Sequence, residues 1–127
     1  MLLSAKEVKT CIEFVLTTMI HDQSIEIKDS HLVIDDKIRI QAVVKYQDHV
    51  VDMNASFLAD YQDNQLYISD IQGKVEYLFL QLNIMNVLKQ LLNFEEAKIG
   101  ENNCIIKYPL PIKSIQIHQQ QLQIQLK

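Results

Sequence analysis

Apolar and polar residues alternate along most of the chain from Ile38 to Leu126. In the first such segment, one face carries Ile38, Ile40, Ala42, Val44 and Tyr46. Successive side chains of a β-strand point to opposite sides, so this pattern is typical of a strand with one buried and one solvated face. The pattern resumes between Val51 and Ala59 and closes the chain from Ile115 onward. Long half-buried strands of this kind need an apolar body that covers their inner face.

Turn-forming residues separate the predicted strands. We expect turns at Asp29-Ser30, Asp35-Asp36, Gln47-Asp48 and Asp63-Asn64. The long strands between them cover residues 37–46, 49–61 and 65–77. These connections are too short for crossover helices, so they predict an antiparallel meander. Gly73 lies inside a strand pattern and indicates a bulge or a bend.

Helix start signals lie near the N-terminus. Ser4 and Glu7 have the spacing of a capping box, in which each side chain accepts a hydrogen bond from the other residue's backbone N–H. Leu3 and Val8 occupy the two positions of a hydrophobic staple. The apolar residues that then recur at helical spacing are Val8, Cys11, Ile12, Val15 and Met19. The pattern predicts an amphipathic helix of about 16 residues, with Phe14 on its opposite side.

A second, shorter helix is predicted at residues 83–92. Asn83 is a good N-cap, and an apolar stripe follows it. After a polar connection we expect a short strand at residues 104–107 and an extended segment at residues 108–111, because neither proline there suits a helix or a sheet ladder. Residues 113–118 and 121–127 then predict a closing hairpin.

Length, charge and hydropathy bound the class of protein. The chain has 127 residues, which predicts a single domain spanning residues 1–127. Its net charge of −4 is spread without a basic stripe, so we expect no nucleic-acid partner. No apolar run reaches the ~18 residues of a transmembrane helix, and charged residues from Lys6 onward interrupt the stretch that a signal peptide would need. As written the sequence predicts a soluble, cytoplasmic protein; the alternative is a trimmed, extracytoplasmic part of an anchored protein.

No constellation of catalytic or metal-binding residues is evident. The four histidines have none of the short spacings of metal sites, and the aspartates concentrate at turns. With two glycines in the whole chain, a glycine-rich phosphate loop is excluded. Cys11 falls on the apolar face of the first helix, which predicts a buried free thiol; a disulfide with Cys104 stays open for an exported protein. We therefore expect no enzymatic activity, no cofactor and no metal.

Methionine and phenylalanine are frequent on the inner faces of the predicted helices and sheet. The residues on or beside those faces are Met19, Met53, Met85, Phe57, Phe79 and Leu80. Core packing explains each one singly, whereas together they suit a flexible apolar ligand, because methionine adapts to irregular apolar surfaces. We expect a groove between the first helix and the sheet that holds a lipid or another long apolar ligand. The predicted lining residues are Val8, Ile12, Phe14, Met53, Phe57, Met85 and Leu88.

Three segments carry a resemblance to a bacterial group: LSAKEVKTCIEFVL at residues 3–16, LNIMNVLKQLL at residues 82–92 and YPLPIKSIQIHQQQLQIQL at residues 108–126. In type and order they resemble the YpmS-like family of membrane-anchored bacterial proteins and, more distantly, the LmeA-like phospholipid-binding proteins. The resemblance implies half of a tubular lipid-binding (TULIP) module, in which a strongly curved sheet wraps around a long helix. It also implies lipid binding close to a membrane, and it brings no catalytic residues. The family's N-terminal membrane anchor is not found in this sequence.

The predicted fold class is α+β. A curved antiparallel β-sheet of about five to seven strands wraps around the N-terminal amphipathic helix, and a second short helix precedes a C-terminal hairpin. A cystatin-like fold is the alternative architecture. The first functional hypothesis is non-enzymatic binding of a lipid or other apolar ligand in the predicted groove. The second is a protein-interaction or self-association module with a filled core, which forms a homodimer through an edge strand such as residues 121–127.

Overall fold

The computed structural model describes residues 1–19, 25–91, 95, 97–107 and 109–127. Within these residues the chain forms two helices and ten strands. In chain order the elements are β1 (Leu2–Leu3), α1 (Ala5–Met19), β2 (Ile25–Ile34), β3 (Ile38–Tyr46), β4 (His49–Gln62), β5 (Gln65–Tyr77), β6 (Leu80–Asn83), α2 (Ile84–Leu91), β7 (Ala97–Ile99), β8 (Cys104–Lys107), β9 (Ile112–His118) and β10 (Gln121–Leu126). The predicted connection at residues 21–24, Leu92, Tyr108 and the side chain of Met19 lie outside the described residues.

Seven strands form the larger sheet, so the predicted α+β class with an antiparallel meander is confirmed. The strand order is β2-β3-β4-β5-β8-β7, and every pair in it is antiparallel. Strands β6 and β8 pair with the same edge of β5. Strand β6 pairs with residues 74–77, and β8 pairs with residues 65–68. Among the described strands, neither this sheet nor the smaller one closes on itself.

The register of the meander separates an apolar face from a polar face. One row across β3, β4 and β5 consists of Ala42, Met53 and Val75. The neighbouring row consists of Gln41, Asn54 and Lys74. Because adjacent residues of a strand face opposite sides, the two rows lie on opposite faces of the sheet. The alternation in the sequence is therefore expressed as two chemically distinct surfaces.

Strand β2 continues through the residues for which a turn was expected. The prediction of a turn at Asp29-Ser30 is wrong, because β2 runs from Ile25 to Ile34 and takes up one extra residue as a bulge at Lys28. Ser30 is buried, and its hydroxyl donates a hydrogen bond to the carboxylate of Glu13 on α1. This tertiary contact overrides the local turn preference of an Asp-Ser pair.

Strand β5 carries a bulge, but it lies at Asp70 and Ile71 rather than at Gly73, where it was predicted. Asp70 and Ile71 together face the single residue Phe57 on β4, so β5 carries the bulge. Gly73 has a φ of +155°, and a Cβ there would lie 2.1 Å from the carbonyl oxygen of Asn54. The backbones of β4 and β5 therefore approach so closely that no larger residue fits at position 73.

Helix α1 begins at the predicted capping box. The backbone N–H of Ser4 donates to Glu7 Oε1 at 3.2 Å, and the N–H of Glu7 donates to Ser4 Oγ at 3.3 Å. Val8 and Ile12 pack into the core. Cys11 is a free thiol, but the prediction that it is buried is wrong, because it is exposed to solvent. Over residues 5–14, whose side chains the structure describes, Val8 is buried and Ile12 is half-buried, and Cys11 lies on the exposed side of the stripe.

The C-terminal hairpin belongs to a second, three-stranded sheet with the order β1-β10-β9. The predicted hairpin of β9 and β10 is confirmed. Leu2 and Leu3 pair with Gln123 and Leu122 on the other side of β10, a contact that the sequence did not indicate. Strand β10 is therefore the central strand of its sheet, and the expectation that residues 121–127 form a free edge is wrong.

Two clusters of buried side chains hold the elements together. The α2 cluster joins α2 to the larger sheet through Ile71, Val75, Ile84, Met85, Cys104 and Ile106. The α1 cluster joins α1, the larger sheet and the smaller sheet through Val8, Ile34, Ile38, Leu122 and Ile124. Phe57 is partly buried against both clusters. The apolar side of the larger sheet is thus covered in two places by different elements.

Two polar contacts fix the chain between these clusters. Asn83 caps α2 as predicted, since its Oδ1 accepts a hydrogen bond from the backbone N–H of Met85 at 2.8 Å. Tyr61 is buried on β4, and its hydroxyl accepts a hydrogen bond from the backbone N–H of Leu110 at 2.7 Å. That bond anchors the segment between β8 and β9 to the larger sheet.

Candidate functional site

The predicted lining residues are distributed over separate parts of the molecule. Val8 and Ile12 belong to the α1 cluster, and Phe57 contacts both clusters. The residues that belong to the α2 cluster are Met53, Met85 and Leu88. The structure therefore places these six residues in two packed regions, with Phe57 between them.

Three aromatic or aliphatic residues are more exposed than expected. Phe14 is 69% exposed, on the side of α1 away from Val8 and Ile12, so it does not face the sheet as a groove residue would. Phe79 is 91% exposed in a turn, so the prediction that it lies on or beside the inner faces is wrong. Leu80 pairs with Tyr77 in the register that pairs Leu82 with Val75, so it lies on the apolar side of the sheet as predicted, but it is exposed. Phe79 and Leu80 belong to a turn and a short edge strand rather than to the covered part of the sheet.

Two open hollows lie on the polar face of the larger sheet, with volumes of about 270 and 480 Å³. Both are bordered by His31, Gln41 and Asn54. At one end Arg39 contacts Asp35 at 3.0 Å and Asp36 at 3.0 Å, so its charge is already paired. The hollows are open to solvent, and most residues that border each of them are polar, although Val33, Ile40 and Ala55 also border the larger one.

The described residues offer little chemistry beyond binding. In that part of the chain, no group of three or more His, Cys, Asp or Glu side chains could hold a metal ion. Cys104 is buried, and burial raises the pKa of its thiol, which disfavours the reactive thiolate. No helix that the described residues form is long and apolar enough to cross a membrane.

The most unusual surface of the molecule is the hairpin that joins β5 and β6. We call Leu78, Phe79, Leu80 and Leu82 the apolar hairpin. Leu78 and Phe79 form its two-residue turn and are 79% and 91% exposed. Leu80 and Leu82 follow on β6, and each is more than half exposed. Single exposed apolar residues are ordinary, whereas four within five positions form a contiguous patch.

The backbone of this turn is strained. Leu78 has a φ of 57°, whereas Phe79 is not among the residues with positive φ. A two-residue hairpin turn with positive φ at its first position favours glycine there. The left-handed conformation costs a non-glycine residue roughly 1–2 kcal/mol. Leucine at position 78 therefore places an apolar side chain in solvent at the expense of backbone stability.

An aromatic pair braces the base of the apolar hairpin. Tyr77 lies directly before the turn, and its hydroxyl is 2.6 Å from Nδ1 of His49, the first residue of β4. The two rings meet edge to face, with centroids 5.0 Å apart and an interplanar angle of 76°. The contact ties the β5–β6 turn to the neighbouring turn between β3 and β4. The contact between Tyr77 and His49 thus fixes the base of the apolar hairpin.

The charged side chains near the hairpin pair with one another. Lys74 contacts Glu76 at 2.9 Å, and the amide of Gln81 donates to Glu76 at 3.0 Å. The hydrogen bond from Lys74, followed by that from Gln81, lowers the pKa of Glu76 below its ordinary value. In the adjacent turn, Lys45 lies 3.9 Å from Asp48. Each of these two lysines therefore has a carboxylate partner.

Sequence reasoning did not single out the apolar hairpin, although the chain carries a signal for it. The alternation of β5 is broken after Glu76 by four consecutive apolar or aromatic residues, Tyr77 to Leu80. Such a run at the end of a strand is ambiguous, because it suits a fully buried strand as well as an exposed apolar tip. The structure resolves the ambiguity through the pairing of Tyr77 with Leu80, which places Leu78 and Phe79 in the turn.

Comparison with known proteins adds no further information on function. No family model, no curated protein and no solved structure matches this chain. The resemblance to the YpmS-like family therefore stays a prediction, and the function has to be argued from the residues described above.

Proposed function

We propose that this protein is a non-enzymatic lipid-binding domain that contacts a lipid surface through the apolar hairpin. The observation that supports the proposal is the strained, braced turn with Leu78 and Phe79 almost fully in solvent. A turn with this sequence is unfavourable in water, since exposure of large apolar side chains and a left-handed leucine both oppose stability. A contact that buries the turn would remove the first of these disadvantages.

The shape of the apolar hairpin favours lipid over a folded protein as the partner. A two-residue turn is a convex projection, so a protein partner would need a pocket that matches it, whereas a lipid interface adapts to any convex shape. Full burial of a leucine or phenylalanine side chain contributes about 2 kcal/mol. Four such side chains supply enough for weak, reversible association, comparable in kind to a single acyl anchor.

The residues at the base of the hairpin suit the boundary between hydrocarbon and water. Tyr77 and His49 each combine an aromatic ring with a polar atom, and such side chains are favourable at the level of lipid headgroups. Their position directly below Leu78 and Phe79 gives a gradient from apolar tip to polar base. The proposed lipid contact is therefore the apolar hairpin and not the groove predicted beside α1.

Sedimentation with phosphatidylcholine vesicles tests this function. We expect the wild-type protein to sediment with the vesicles and the double variant Leu78→Gly/Phe79→Asn to stay in solution. Glycine and asparagine suit a two-residue hairpin turn, so the variant should keep its fold, which circular dichroism checks. The matched control Val33→Thr/Leu126→Thr removes two other exposed apolar side chains and should still sediment. If the wild-type protein binds no vesicles of any composition, the proposed function is wrong.

A second candidate function, self-association, is favoured by one observation. Among the described strands β6 pairs only with β5, so its outer edge is open for pairing with another copy of the chain. In a two-residue hairpin Tyr77 and Leu80 form the hydrogen-bonded pair, which directs the N–H of Gln81 outward. Sedimentation velocity over a range of protein concentrations tests this candidate. Dimerisation that the variant Gln81→Pro abolishes would support it, and a monomer at all concentrations would exclude it.

A further inference from the structure

We infer that the lipid surface contacted by the apolar hairpin is electrically neutral, with zwitterionic headgroups such as phosphatidylcholine. This inference rests on the proposed function and concerns the class of lipid that the same site accepts. It follows from the charges that surround the hairpin and from their pairing. The apolar residues supply the attraction, and the charged residues determine which headgroups they can approach.

The charged side chains at the ends of β3, β4 and β5 beside the hairpin, together with the β3–β4 turn, carry a small excess of negative charge. Two lysines, Lys45 and Lys74, stand against three carboxylates, Asp48, Asp52 and Glu76. Asp52 pairs in register with Glu76 across β4 and β5, directly behind the braced base. The local balance is one negative charge, and the whole chain has a net charge of −4.

Each of the two lysines is paired with a carboxylate, and this pairing weakens its attraction for anionic lipid. Lys74 is held at 2.9 Å by Glu76, and Lys45 is 3.9 Å from Asp48. The side chain of Asp48 is 96% exposed at the tip of the adjacent turn, so a carboxylate would meet the headgroups together with the hairpin. Proteins that recognise anionic membranes present clusters of four to eight unpaired Lys or Arg residues, and the surroundings of this hairpin differ from that arrangement.

The charges around the hairpin determine how vesicle binding should depend on salt and on lipid composition. Apolar insertion depends little on ionic strength, whereas attraction between exposed charges is screened within about 10 Å at 0.1 M salt. We therefore expect binding to phosphatidylcholine vesicles to change by less than about twofold between low and high salt. Vesicles that contain a third of phosphatidylglycerol should bind the protein equally or more weakly, because the anionic surface repels the exposed carboxylates.

A charge reversal at the adjacent turn provides the sharpest test. The variant Asp48→Lys changes the local balance from one negative to one positive charge and leaves the apolar hairpin intact. Each unit of charge near an anionic surface contributes about 1 kcal/mol. The reversal changes the charge by two units, so the variant should bind phosphatidylglycerol vesicles about 30-fold more tightly than the wild-type protein. Binding to pure phosphatidylcholine should be unchanged, and the gained affinity should disappear at high salt.

The outcomes separate the inference from the proposed function. Equal or stronger binding to phosphatidylcholine, insensitive to salt, supports both. If the wild-type protein binds the anionic vesicles more tightly than phosphatidylcholine, or if salt releases it, the inference is wrong while the lipid-binding function stands. If neither vesicle binds the protein, the proposed function itself is wrong. Circular dichroism of Asp48→Lys guards against loss of fold, and Asp48→Asn serves as an intermediate variant with half the change in charge.

Discussion

Four two-residue turns connect strands in the described part of the chain, and one of them differs from the other three. The turns Gln47-Asp48, Asp63-Asn64 and Gln119-Gln120 are polar, and both residues of each have positive φ. The turn Leu78-Phe79 is apolar, and only its first residue has positive φ. Polar residues at the first three turns keep the hairpins compatible with water. The fourth turn departs from this solution although the same chain can form it elsewhere, and the proposed lipid contact would account for the departure.

A second comparison concerns Gly73 on β5 and Leu78 in the turn that follows β5, two positions where φ is positive for different reasons. At Gly73 the neighbouring backbone of β4 leaves no room for a Cβ, so glycine is required by the packing of the sheet. At Leu78 the turn is open to solvent, and glycine would fit better than the leucine that is present. One position is constrained by the fold, and the other is free of that constraint.

The largest expected effect is that of Gly73→Ala. The added Cβ would lie 2.1 Å from the carbonyl oxygen of Asn54, so β4 and β5 must separate locally. We expect the free energy of unfolding to fall by about 3 kcal/mol or more, because a steric clash combines with an unfavourable φ. Urea denaturation measures this change. A decrease in the free energy of unfolding of less than about 1 kcal/mol would show that β4 and β5 do not approach closely enough at Gly73 to require glycine.

The next effect concerns lipid affinity and the single residue Phe79. We expect Phe79→Ser to weaken binding to phosphatidylcholine vesicles about 30-fold, because about 2 kcal/mol of apolar burial is lost. Phe14→Ser is the matched control, since Phe14 is also strongly exposed and lies on α1. Vesicle titration followed by sedimentation gives both affinities. Equal losses for the two variants would mean that the apolar turn has no special role.

A smaller effect of opposite sign is expected for Leu78→Gly. Relief of the left-handed conformation should raise the free energy of unfolding by about 0.5–1 kcal/mol, part of the strain being offset by the greater freedom of glycine in the unfolded chain. The same variant should bind phosphatidylcholine vesicles more weakly, because one inserted side chain is lost. Asn64→Gly in a polar turn is the control and should change stability by only a few tenths of a kcal/mol. A destabilised Leu78→Gly would contradict the assignment of strain to this turn.

Strand length and tertiary contacts determine how much of the fold could be predicted from the sequence. Periodicity predicted β3, β4 and β5 because each strand is long enough for alternation to be unambiguous, and the capping box at Ser4 and Glu7 predicted the start of α1. Strands β1, β6 and β7 were missed because two, four and three residues carry no recognisable period, and β7 lies in the predicted polar connection. The continuation of β2 through Ser30 depends on a tertiary partner, Glu13, that no local pattern reveals.

The candidate site was less predictable than the fold for a related reason. Sequence patterns identify which residues are apolar, but burial depends on how much of each face another element covers. The stripe of α1 and the run from Tyr77 to Leu80 both indicated buried surfaces, yet Cys11 and Phe79 are exposed. The departure of the fourth turn from the other three becomes visible only when strand pairing places Leu78 and Phe79 between two strands.

The smallest expected effect contrasts the apolar turn with the bend between β2 and β3, which is stabilised by charge. Asp35 accepts a hydrogen bond from the backbone N–H of Lys37 at 3.0 Å and contacts Arg39 at 3.0 Å. The backbone hydrogen bond first, then the hydrogen bonds with Asp36 and Arg39, lower the pKa of Asp35 from 3.8 to about 2. A lowered pKa stabilises the fold at pH values above the ordinary pKa, and this contribution is lost as the pH falls from about 4 through about 2. We therefore expect Asp35→Asn to flatten the pH dependence of stability in that window, whereas Leu78→Gly leaves it unchanged because the apolar turn contains no titratable group. Urea midpoints measured between about pH 2 and pH 5 check this prediction. If the carboxylate of Asp35 does not stabilise the bend, the midpoint will depend on pH equally in wild type and in Asp35→Asn.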